Sequence, residues 1–370
     1  MLAAATAAVA TAAVAVPALV RATRGLPTAM GARPDTIRSS EASIRSPHFD
    51  GTAFHNRLPG TVMAQGSTFG LMRSLATRGD VGKPSHPVPT TDPTMDVPAA
   101  GCAATWLGHA SVLLEVDGSR VLADPVWSDR VSPSATVGPR RLHPLPFDPA
   151  TLPQVDAIVI SHDHYDHLDS PTIELLTRTQ QAPFLVPLGV GSHLRAWGVP
   201  VERIIELDWD EAATVGDLTI VCTEARHFSG RGLLRNNTLW SSWAVSGPKH
   251  RVFFGGDTGY TPAFAGIGAR YGPFDLTVLP IGAYGAAWPD IHMNPEEAVQ
   301  AHGDLGGVVL LPIHWATFDL AFHPWAEPVE RLLLAGADRN VRLALPPPGG
   351  RVVAEEASSG AQTGWWRDAV

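Results

Sequence analysis

The densest set of chemically active side chains in this sequence lies in the seven-residue segment Ser161–His167. Its ionisable members are three histidines and two aspartates: His162, Asp163, His164, Asp166 and His167. The segment directly follows the apolar run Val155–Ile160, which predicts a buried strand. Unpaired ionisable groups are too costly to leave at the end of such a strand, whereas a divalent cation binds imidazole nitrogens and carboxylates together. The spacing therefore predicts a metal site.

Three later apolar runs also end in side chains of the types that bind metals. His227 follows the run that begins at Leu218, Asp257 follows Phe253–Phe254, and His314 follows Leu310–Ile313. A single histidine after a strand is most often an ordinary surface or core residue. Because the pattern repeats three times, we expect these strand ends to meet the histidine-rich segment at one metal site.

The rest of the pattern predicts an α/β layered domain that begins near Cys102. Short apolar runs bounded by turn residues predict strands at these positions: Ala104–Leu107, Ser111–Val116, Arg120–Ala123, Phe184–Val186, Leu218–Val221, Trp243–Val245, Arg251–Phe254, Leu276–Leu279 and Val308–Leu311. Helix-start residues at Ser170-Pro171 and Asn294-Pro295-Glu296-Glu297 predict helices between them. Strands that alternate with helices are typical of this fold class.

Composition narrows the functional classes. The chain has 370 residues, is 45% hydrophobic and carries a formal net charge of −9, so it can build a full core. The acidic main part of the chain and the lack of a basic patch argue against nucleic acid as a partner. Cys102 and Cys222 are too few and too distant for a disulfide framework, and we expect both to be small buried side chains.

The N-terminal region differs from the rest of the chain. Residues 1–24 contain the uncharged Ala/Val-rich run Leu2–Val20, followed by Arg21 and Arg24, which is typical of an export signal or membrane anchor. The alternative is an Ala-rich surface helix or a misassigned start, in a cytoplasmic protein. Residues 25–100, rich in Pro, Gly and Ser, predict an extended arm, residues 101–350 the main domain and residues 351–370 a C-terminal tail.

The segment His162–His167 carries the signature His-x-His-x-Asp-His, and with it the chain resembles the metallo-β-lactamase superfamily. The resemblance implies a four-layer αββα sandwich, with two central mixed sheets flanked by helices. It also implies two Zn²⁺ ions, with Mn²⁺ or Fe²⁺ as alternatives. The implied ligands are His162, His164 and His227 for the first ion, Asp166, His167 and His314 for the second, and Asp257 as a bridge between the two.

Further motifs are similar to the N-acylphosphatidylethanolamine-hydrolysing phospholipase D group. They are Trp106–Ser111, Asp124–Arg130, Gly138–Arg141, Leu279–Tyr284 and His314–Phe318. The resemblance implies a dizinc phosphodiesterase that releases an N-acylethanolamine and leaves phosphatidic acid, with a phospholipid as substrate and a membrane as the place of action. Asp257 would be catalytic as the bridging ligand. His292 would orient the phosphate or protonate the leaving oxygen, unless it only bonds a loop carbonyl.

Several other residues are placed around the site. His109 and Asp124 stand in the opening motifs, where we expect support for the metal-binding loops or simple turn chemistry. Tyr284 and Trp288 would line the entrance or pack in the core or rim. Asp163 would face solvent or stand behind the ligands, without being an eighth ligand. The positions of four arginines do not follow from the sequence: Arg130, Arg140, Arg141 and Arg231.

Two alternatives stay open at this point. A metal-dependent lactonase or related hydrolase of a small soluble substrate would use the same ligand set, and a closed polar cavity with arginines would favour it. A non-catalytic metal-binding envelope protein would keep the ligands without turnover. The sequence does not indicate an oligomeric state.

Overall fold

The computed structural model describes residues 23, 25–64, 70, 73, 77–95, 97–99, 101–357 and 364–370. Its helices are α1 (Leu26–Met30), α2 (Pro34–Arg38), α3 (Glu41–Ile44), α4 (Ser170–Thr179), α5 (Val190–Ala196), α6 (Ala263–Tyr271), α7 (Pro295–Asp304) and α8 (Glu327–Asp338). Short 3₁₀ turns lie at Pro149–Thr151, Val201–Arg203 and Trp365–Ala369.

The strands form two seven-stranded mixed sheets. The first contains β1 (Cys102–Gly108), β2 (Ser111–Val116), β3 (Ser119–Ala123), β4 (Ala157–Val159), β5 (Phe184–Pro187), β6 (Ile204–Leu207) and β14 (Arg351–Val353), in the order β14-β1-β2-β3-β4-β5-β6. The second contains β7 (Ala212–Val215), β8 (Leu218–Thr223), β9 (Ser242–Ser246), β10 (Arg251–Phe254), β11 (Phe274–Pro280), β12 (Gly307–Ile313) and β13 (Arg342–Leu343), in the order β13-β12-β11-β10-β9-β8-β7.

Each sheet is antiparallel in one half and parallel in the other. In the first sheet β3, β4, β5 and β6 are parallel neighbours, and in the second β10, β11, β12 and β13 are. Parallel strands carry their carboxyl ends to the same edge of a sheet. The residues that follow β4, β10 and β12 are therefore presented at sheet edges, where side chains from distant parts of the sequence can meet.

The main hydrophobic core lies between the two sheets. In β4, Ala157 and Val159 belong to this core, whereas Ile158 belongs to a second core with Ile173 of α4 and Leu194 of α5. Side chains alternate between the faces of a strand, so both faces of this sheet are covered. Helices α6, α7 and α8 pack with the second sheet. The layers confirm the predicted αββα sandwich.

The helix-start signals are confirmed with one change. At α7, Asn294 and Glu297 form a reciprocal capping box, as predicted. At α4 the N-cap is Asp169, and Ser170 is already helical. The carboxylate of Asp169 does not cap the helix from that position and instead accepts hydrogen bonds from Ser128 and Thr172.

The segments on either side of the predicted main domain also pack against it. Residues 25–44 contain three short helices, where the sequence predicted an extended arm. Beyond residue 350, β14 pairs with β1, and Trp365 and Trp366 are buried. The domain boundaries stay predictions. Within the described ranges, no helix is long and apolar enough to cross a membrane, and the predicted anchor run Leu2–Val20 lies outside them.

Candidate metal centre

Three histidine nitrogens from two loops converge in the first half of the site. Nδ1 of His164 lies 2.8 Å from Nε2 of His162 and 3.3 Å from Nε2 of His227. The first two residues follow β4 in the first sheet, and His227 follows β8 in the second. The three predicted ligands of the first ion thus lie together, with ring nitrogens facing one point.

The second half of the site contains the other predicted ligands. Oδ2 of Asp166 lies 3.3 Å from Nε2 of His314 and 3.6 Å from Nε2 of His167. His314 directly follows β12 and has a left-handed backbone, with φ at 64°, which turns the chain at the end of the strand. Both histidine side chains are fully buried.

Asp257 lies between the two halves. Its Oδ2 is 3.1 Å from Nε2 of His167 and 3.9 Å from Nε2 of His162, and its Oδ1 is 3.2 Å from Nε2 of His314. One carboxylate therefore faces nitrogens from both halves. The structure brings together all seven residues that the sequence proposed as ligands, although their role as ligands stays a prediction.

The donor atoms fit divalent cations. His162 Nδ1 bonds the Ser161 hydroxyl and His227 Nδ1 bonds the Ile291 carbonyl, which leaves each Nε2 facing the site. Among the described residues, His167 Nε2 and Asp257 Oδ1 are buried without a hydrogen-bond partner. Buried polar atoms without partners are costly, and imidazole nitrogens with carboxylate oxygens are suitable ligands for zinc-type ions.

The pKa shifts of four proposed ligands agree with a cation site. Burial lowers the pKa of His314, but the carboxylates of Asp257 and Asp166 overcome this and raise the pKa to about 9. Burial also lowers the pKa of His167, yet the same two carboxylates raise it well above its ordinary value. The carboxylates therefore favour positive charge in the second half of the site. In the first half, burial lowers the pKa of His162 and His227 well below the ordinary value, which favours the neutral imidazoles that metal binding requires.

Asp124 and Ser161 support the site from behind. Asp124 Oδ2 accepts hydrogen bonds from Ser161 Oγ at 2.6 Å and from His167 Nδ1 at 2.7 Å, and Oδ1 accepts from the Ser161 amide. Asp124 is fully buried and belongs to none of the groups of potential metal-ligand atoms among the described residues. Its role is to orient His167, as one of the two predictions for this residue had it.

His109 makes a contact that the sequence did not specify. Its Nε2 lies 3.0 Å from Oδ2 of Asp166, and its carbonyl accepts a hydrogen bond from the His314 amide at 3.0 Å. The His109 amide in turn donates to Thr317 Oγ1 at 2.7 Å. His109 therefore braces one ligand through its ring and another through its backbone.

A cavity of about 170 Å³ opens onto the ligands, lined by His164, Asp166, Phe228, Asp257, Ala283, Trp288, Ile291, His292, His314 and Leu320. His292 Nδ1 lies 3.8 Å from Asp257 Oδ2, and burial lowers the pKa of His292 to about 4. Trp288 lines the cavity as one prediction had it. Tyr284 does not, because its hydroxyl donates to Glu327 and its ring stacks on His323.

Asp163 does not face solvent, so that part of its prediction is wrong. The side chain is 1% exposed, and its Oδ1 accepts a hydrogen bond from the Gly230 amide at 2.6 Å. It stands behind the ligands, and its Oδ2 lies 3.5 Å from His193 Nε2. No sequence spacing signals this contact, because the partners are 30 to 67 residues away.

The four unplaced arginines lie away from the cavity lining among the described residues. Arg141 is buried and donates to the Val126 carbonyl, with its guanidinium over the Phe318 ring. Arg130 and Arg140 lie on the loop around residue 138. Arg231 is buried behind the histidine-rich segment, where it bonds main-chain carbonyls.

Comparison with known proteins agrees with this geometry. A model of the beta-lactamase superfamily domain matches residues 119–315. The chain belongs to the metallo-β-lactamase superfamily. The solved structure of Igni18, a metallo hydrolase of this fold from the archaeon Ignicoccus hospitalis, gives a TM-score of 0.53 at 25% identity and covers 68% of this chain and 97% of that one. The family match, together with a relative in Pyrobaculum aerophilum that is named a metal-dependent hydrolase and is 27% identical over 58% of this chain and 84% of its own length, supports a metal-dependent hydrolase.

Two relatives narrow the position within the metallo-β-lactamase superfamily. An uncharacterized protein of Mycobacterium tuberculosis is 54% identical over 355 residues, which are 94% of each chain. The N-acyl-phosphatidylethanolamine-hydrolyzing phospholipase D 1 of Caenorhabditis elegans is 39% identical over 246 residues, or 63% of this chain and 69% of the relative. The resemblance to that phospholipase D group, predicted from the motifs, is confirmed.

Proposed function

We propose that this chain is a dizinc phosphodiesterase that hydrolyses an N-acylphosphatidylethanolamine in the manner of a phospholipase D. The observation that carries the proposal is the Asp257 carboxylate, which faces Nε2 of His162 and His227 in the first half of the site and Nε2 of His167 and His314 in the second. A carboxylate in that position suits a pair of metal ions. The named activity of the C. elegans relative supports the choice of substrate.

The proposed reaction is the addition of water to the phosphoryl group. The bond between phosphorus and the ethanolamine oxygen breaks, the leaving oxygen takes up a proton, and the products are an N-acylethanolamine and phosphatidic acid. When bound, the two metal ions would supply an activated water and withdraw charge from the phosphoryl oxygens. His162, His164 and His227 would hold one ion, and Asp166, His167 and His314 the other, with Asp257 between them.

Of the two catalytic roles that the resemblance implied for His292, orienting the phosphate fits better than protonating the leaving oxygen. It lines the cavity and stands 3.8 Å from Asp257. Burial lowers the pKa of His292, which favours the neutral imidazole and suits an orienting role better than proton donation. A neutral ring can still hydrogen-bond the substrate and fix the phosphate relative to Asp257.

The cavity wall favours a lipid over a small polar substrate. Phe228, Trp288 and Leu320 give the wall an apolar side, and arginine is absent among its described lining residues. The phosphoryl charge of any of these substrates would face the metal ions, but the other polar groups of a sugar phosphate would call for polar or cationic side chains on this side of the wall. The cavity itself, about 170 Å³, suits a head group, so the acyl chains would lie outside it.

We further propose that the protein acts at a membrane surface. Met30, Leu233 and Leu234 form an apolar patch around one groove, and Leu233 is fully exposed. Leu233 is only six residues beyond His227, so the patch is close in sequence to the metal site. Exposed apolar side chains in such a cluster indicate an interaction surface. The apolar run Leu2–Val20, whatever its processing, precedes the same region of the chain.

The test is a substrate panel on purified, metal-analysed protein. The panel contains an N-acylphosphatidylethanolamine, a phosphatidylcholine, a bis-aryl phosphodiester and a set of lactones. We expect release of N-acylethanolamine that disappears in Asp257→Ala and persists at a lower rate in His292→Ala. Arg178→Met, at an exposed site on α4, is the control and should retain full activity. Hydrolysis of the lactones alone would overturn the lipid proposal.

A further inference from the structure

Arg231 is a buried cation whose hydrogen bonds go to main-chain carbonyl oxygens. It is 6% exposed. Its Nη1 donates to the carbonyls of Asp163 and Leu168, both at 2.7 Å, and its Nε and Nη2 donate to the carbonyl of Ala29 at 2.9 and 2.7 Å. A buried guanidinium is costly, so this arrangement needs a compensating reason.

Two of the carbonyls that Arg231 binds lie at the two ends of the metal-binding turn. Asp163 and Leu168 stand immediately before and after the four residues 164–167, which include three of the proposed ligands. One nitrogen atom bonds both ends of this metal-binding turn and thereby fixes its width. Four hydrogen bonds from a charged donor to three carbonyls would not be needed for packing alone, since an apolar side chain of similar size could fill the space.

The third carbonyl belongs to the N-terminal arm segment, residues 25–38. This segment is fixed by two more contacts near Arg231. The Trp197 indole N–H donates to the Thr28 carbonyl at 2.6 Å, and the Ala32 amide donates to His193 Nδ1 at 3.0 Å. The rings of Tyr165 and Trp197 flank the guanidinium, at 4.1 and 5.1 Å from its central carbon. Arg231 thus joins the arm segment to the metal-binding turn.

We propose that Arg231 is a positioning residue that couples the N-terminal arm segment to the metal-binding turn, so that the docked arm helps the site retain its metals. The proposal rests on the metal pair of the proposed function. Coupling of this kind is reciprocal. If the docked arm stabilises the metal-bound turn, then bound metal must stabilise the docked arm. Removing the guanidinium should loosen both and should break the dependence of one on the other.

The experiment compares the wild-type protein with Arg231→Met and Arg231→Lys, and uses Arg178→Met as the control. Each protein is loaded with Zn²⁺, and the rate of metal release to an excess chelator is measured together with the melting temperature. We expect release from Arg231→Met to be at least about 10-fold faster than from the control, in the range known for residues that support metal ligands. Arg231→Lys keeps the charge but has fewer donors, and should fall between them.

A second measurement separates coupling from a general loss of stability. Hydrogen–deuterium exchange of residues 25–38 is recorded with and without Zn²⁺. In the wild-type and control proteins, metal removal should speed exchange in this segment. In Arg231→Met, exchange should be fast in both states.

With Co²⁺ in place of Zn²⁺, the visible spectrum of Arg231→Met should differ from that of the control, because the ligand geometry has relaxed.

The outcomes distinguish the two proposals. A wild-type protein that takes up no metal overturns both. Metal binding by the wild type, with release and arm exchange in Arg231→Met equal to the control, overturns the coupling alone. If Arg231→Met does not fold, Trp197→Phe replaces it, because it removes the bond to Thr28 and keeps an aromatic ring. Slower or unchanged metal release from a folded Trp197→Phe would then contradict the coupling.

Discussion

Asp124 and His167 form a fully buried pair, with Asp124 Oδ2 2.7 Å from His167 Nδ1. This contact places the proton of a neutral His167 on Nδ1 and leaves Nε2 directed at Asp257. Asp124 follows β3 and His167 lies in the turn after β4, two strands that are parallel neighbours in the first sheet. The sheet register therefore sets the orientation of a proposed metal ligand.

The substitution Asp124→Asn should weaken metal binding. The two carboxylate oxygens of Asp124 accept three hydrogen bonds from Ser161 and His167. The asparagine amide has only one acceptor oxygen and cannot accept all three. We expect the affinity for the second metal ion to fall by about 10–100-fold, which is typical of such supporting residues. Competition with a chromophoric chelator would measure it. Asp92→Asn, at an exposed site, is the control, and equal affinities in the two variants would contradict the role of Asp124.

The substitution Asp257→Asn should change the number of bound metals. Asparagine has nearly the same shape but lacks the negative charge that faces nitrogens of both halves of the site. Because a neutral amide is a poor partner for two cations, we expect the count to fall from two ions per chain to one or none. Native mass spectrometry would give the count directly. Retention of two ions would show that Asp257 is not a bridging ligand.

The parts of this site that the sequence predicted are those with a local signal. Three ligand-type histidines within six positions at the end of an apolar run predict a metal turn, and His227, Asp257 and His314 each follow a strand. The α/β layered class follows from the alternation of strands and helices, whereas the four-layer sandwich followed from the resemblance to the superfamily. These signals are visible because each depends on neighbours in the chain.

The contacts that the sequence could not predict join distant segments. His109 meets Asp166 across 57 positions, and Arg231 reaches Asp163 across 68 positions and Ala29 across 202. A lone arginine after a strand has no pattern that tells a surface side chain from a buried one. The prediction that Asp163 could face solvent failed for the same reason. The burial of Asp163 depends on distant residues, namely Gly230 and His193.

The ion pair between the buried Glu115 and the partly exposed Arg351 should contribute to stability, and the loss should show when only one partner is removed. Glu115 is 3% exposed, and Arg351 donates to both of its carboxylate oxygens at 2.8 Å, joining β2 to β14 across β1. We expect Arg351→Met to lower the free energy of unfolding by about 1–3 kcal/mol, because it removes two charge-assisted hydrogen bonds from a buried carboxylate, while Arg351 is itself partly exposed. Urea unfolding would measure the change.

A second variant checks the cause of that loss. Replacing both residues, with Glu115→Leu and Arg351→Met, removes the buried carboxylate together with the guanidinium. We expect the double variant to recover most of the stability. A double variant as unstable as Arg351→Met alone would show that lost packing, and not the lost charge pair, causes the effect.

The contact between His250 and Asp117 predicts a pH dependence of stability. His250 Nδ1 lies 2.6 Å from Asp117 Oδ1, and its Nε2 lies 3.1 Å from Glu355 Oε1. The hydrogen bond to Asp117, opposed by partial burial, raises the pKa of His250. A histidine whose pKa is raised by folding stabilises the fold fully below its unfolded pKa, about 6.5, and this contribution is lost as the pH rises through the folded pKa.

The matching experiment compares the wild-type protein with His250→Gln from pH 5.5 to pH 9. At pH 5.5 we expect the free energy of unfolding of the wild type to exceed that of His250→Gln by about 0.5–1 kcal/mol. This difference should shrink towards pH 9. His86→Gln, at an exposed site, should show no such trend. A constant difference across the range would mean that the charge on His250 contributes nothing.

The apolar patch of Met30, Leu233 and Leu234 predicts a defect in membrane binding. Burial of an exposed leucine in lipid is favourable by about 1.5–3 kcal/mol, so loss of two should weaken vesicle binding by at least about 10-fold. Sedimentation with phosphatidylcholine vesicles would compare the double variant Leu233→Ser, Leu234→Ser with Leu334→Ser. Leu334 is 71% exposed on α8 and lies outside the patch.

Because hydrolysis of a soluble phosphodiester does not need the membrane, its rate should be equal in both variants. An equal loss of vesicle binding in both would show that general surface hydrophobicity, and not this patch, brings the protein to lipid.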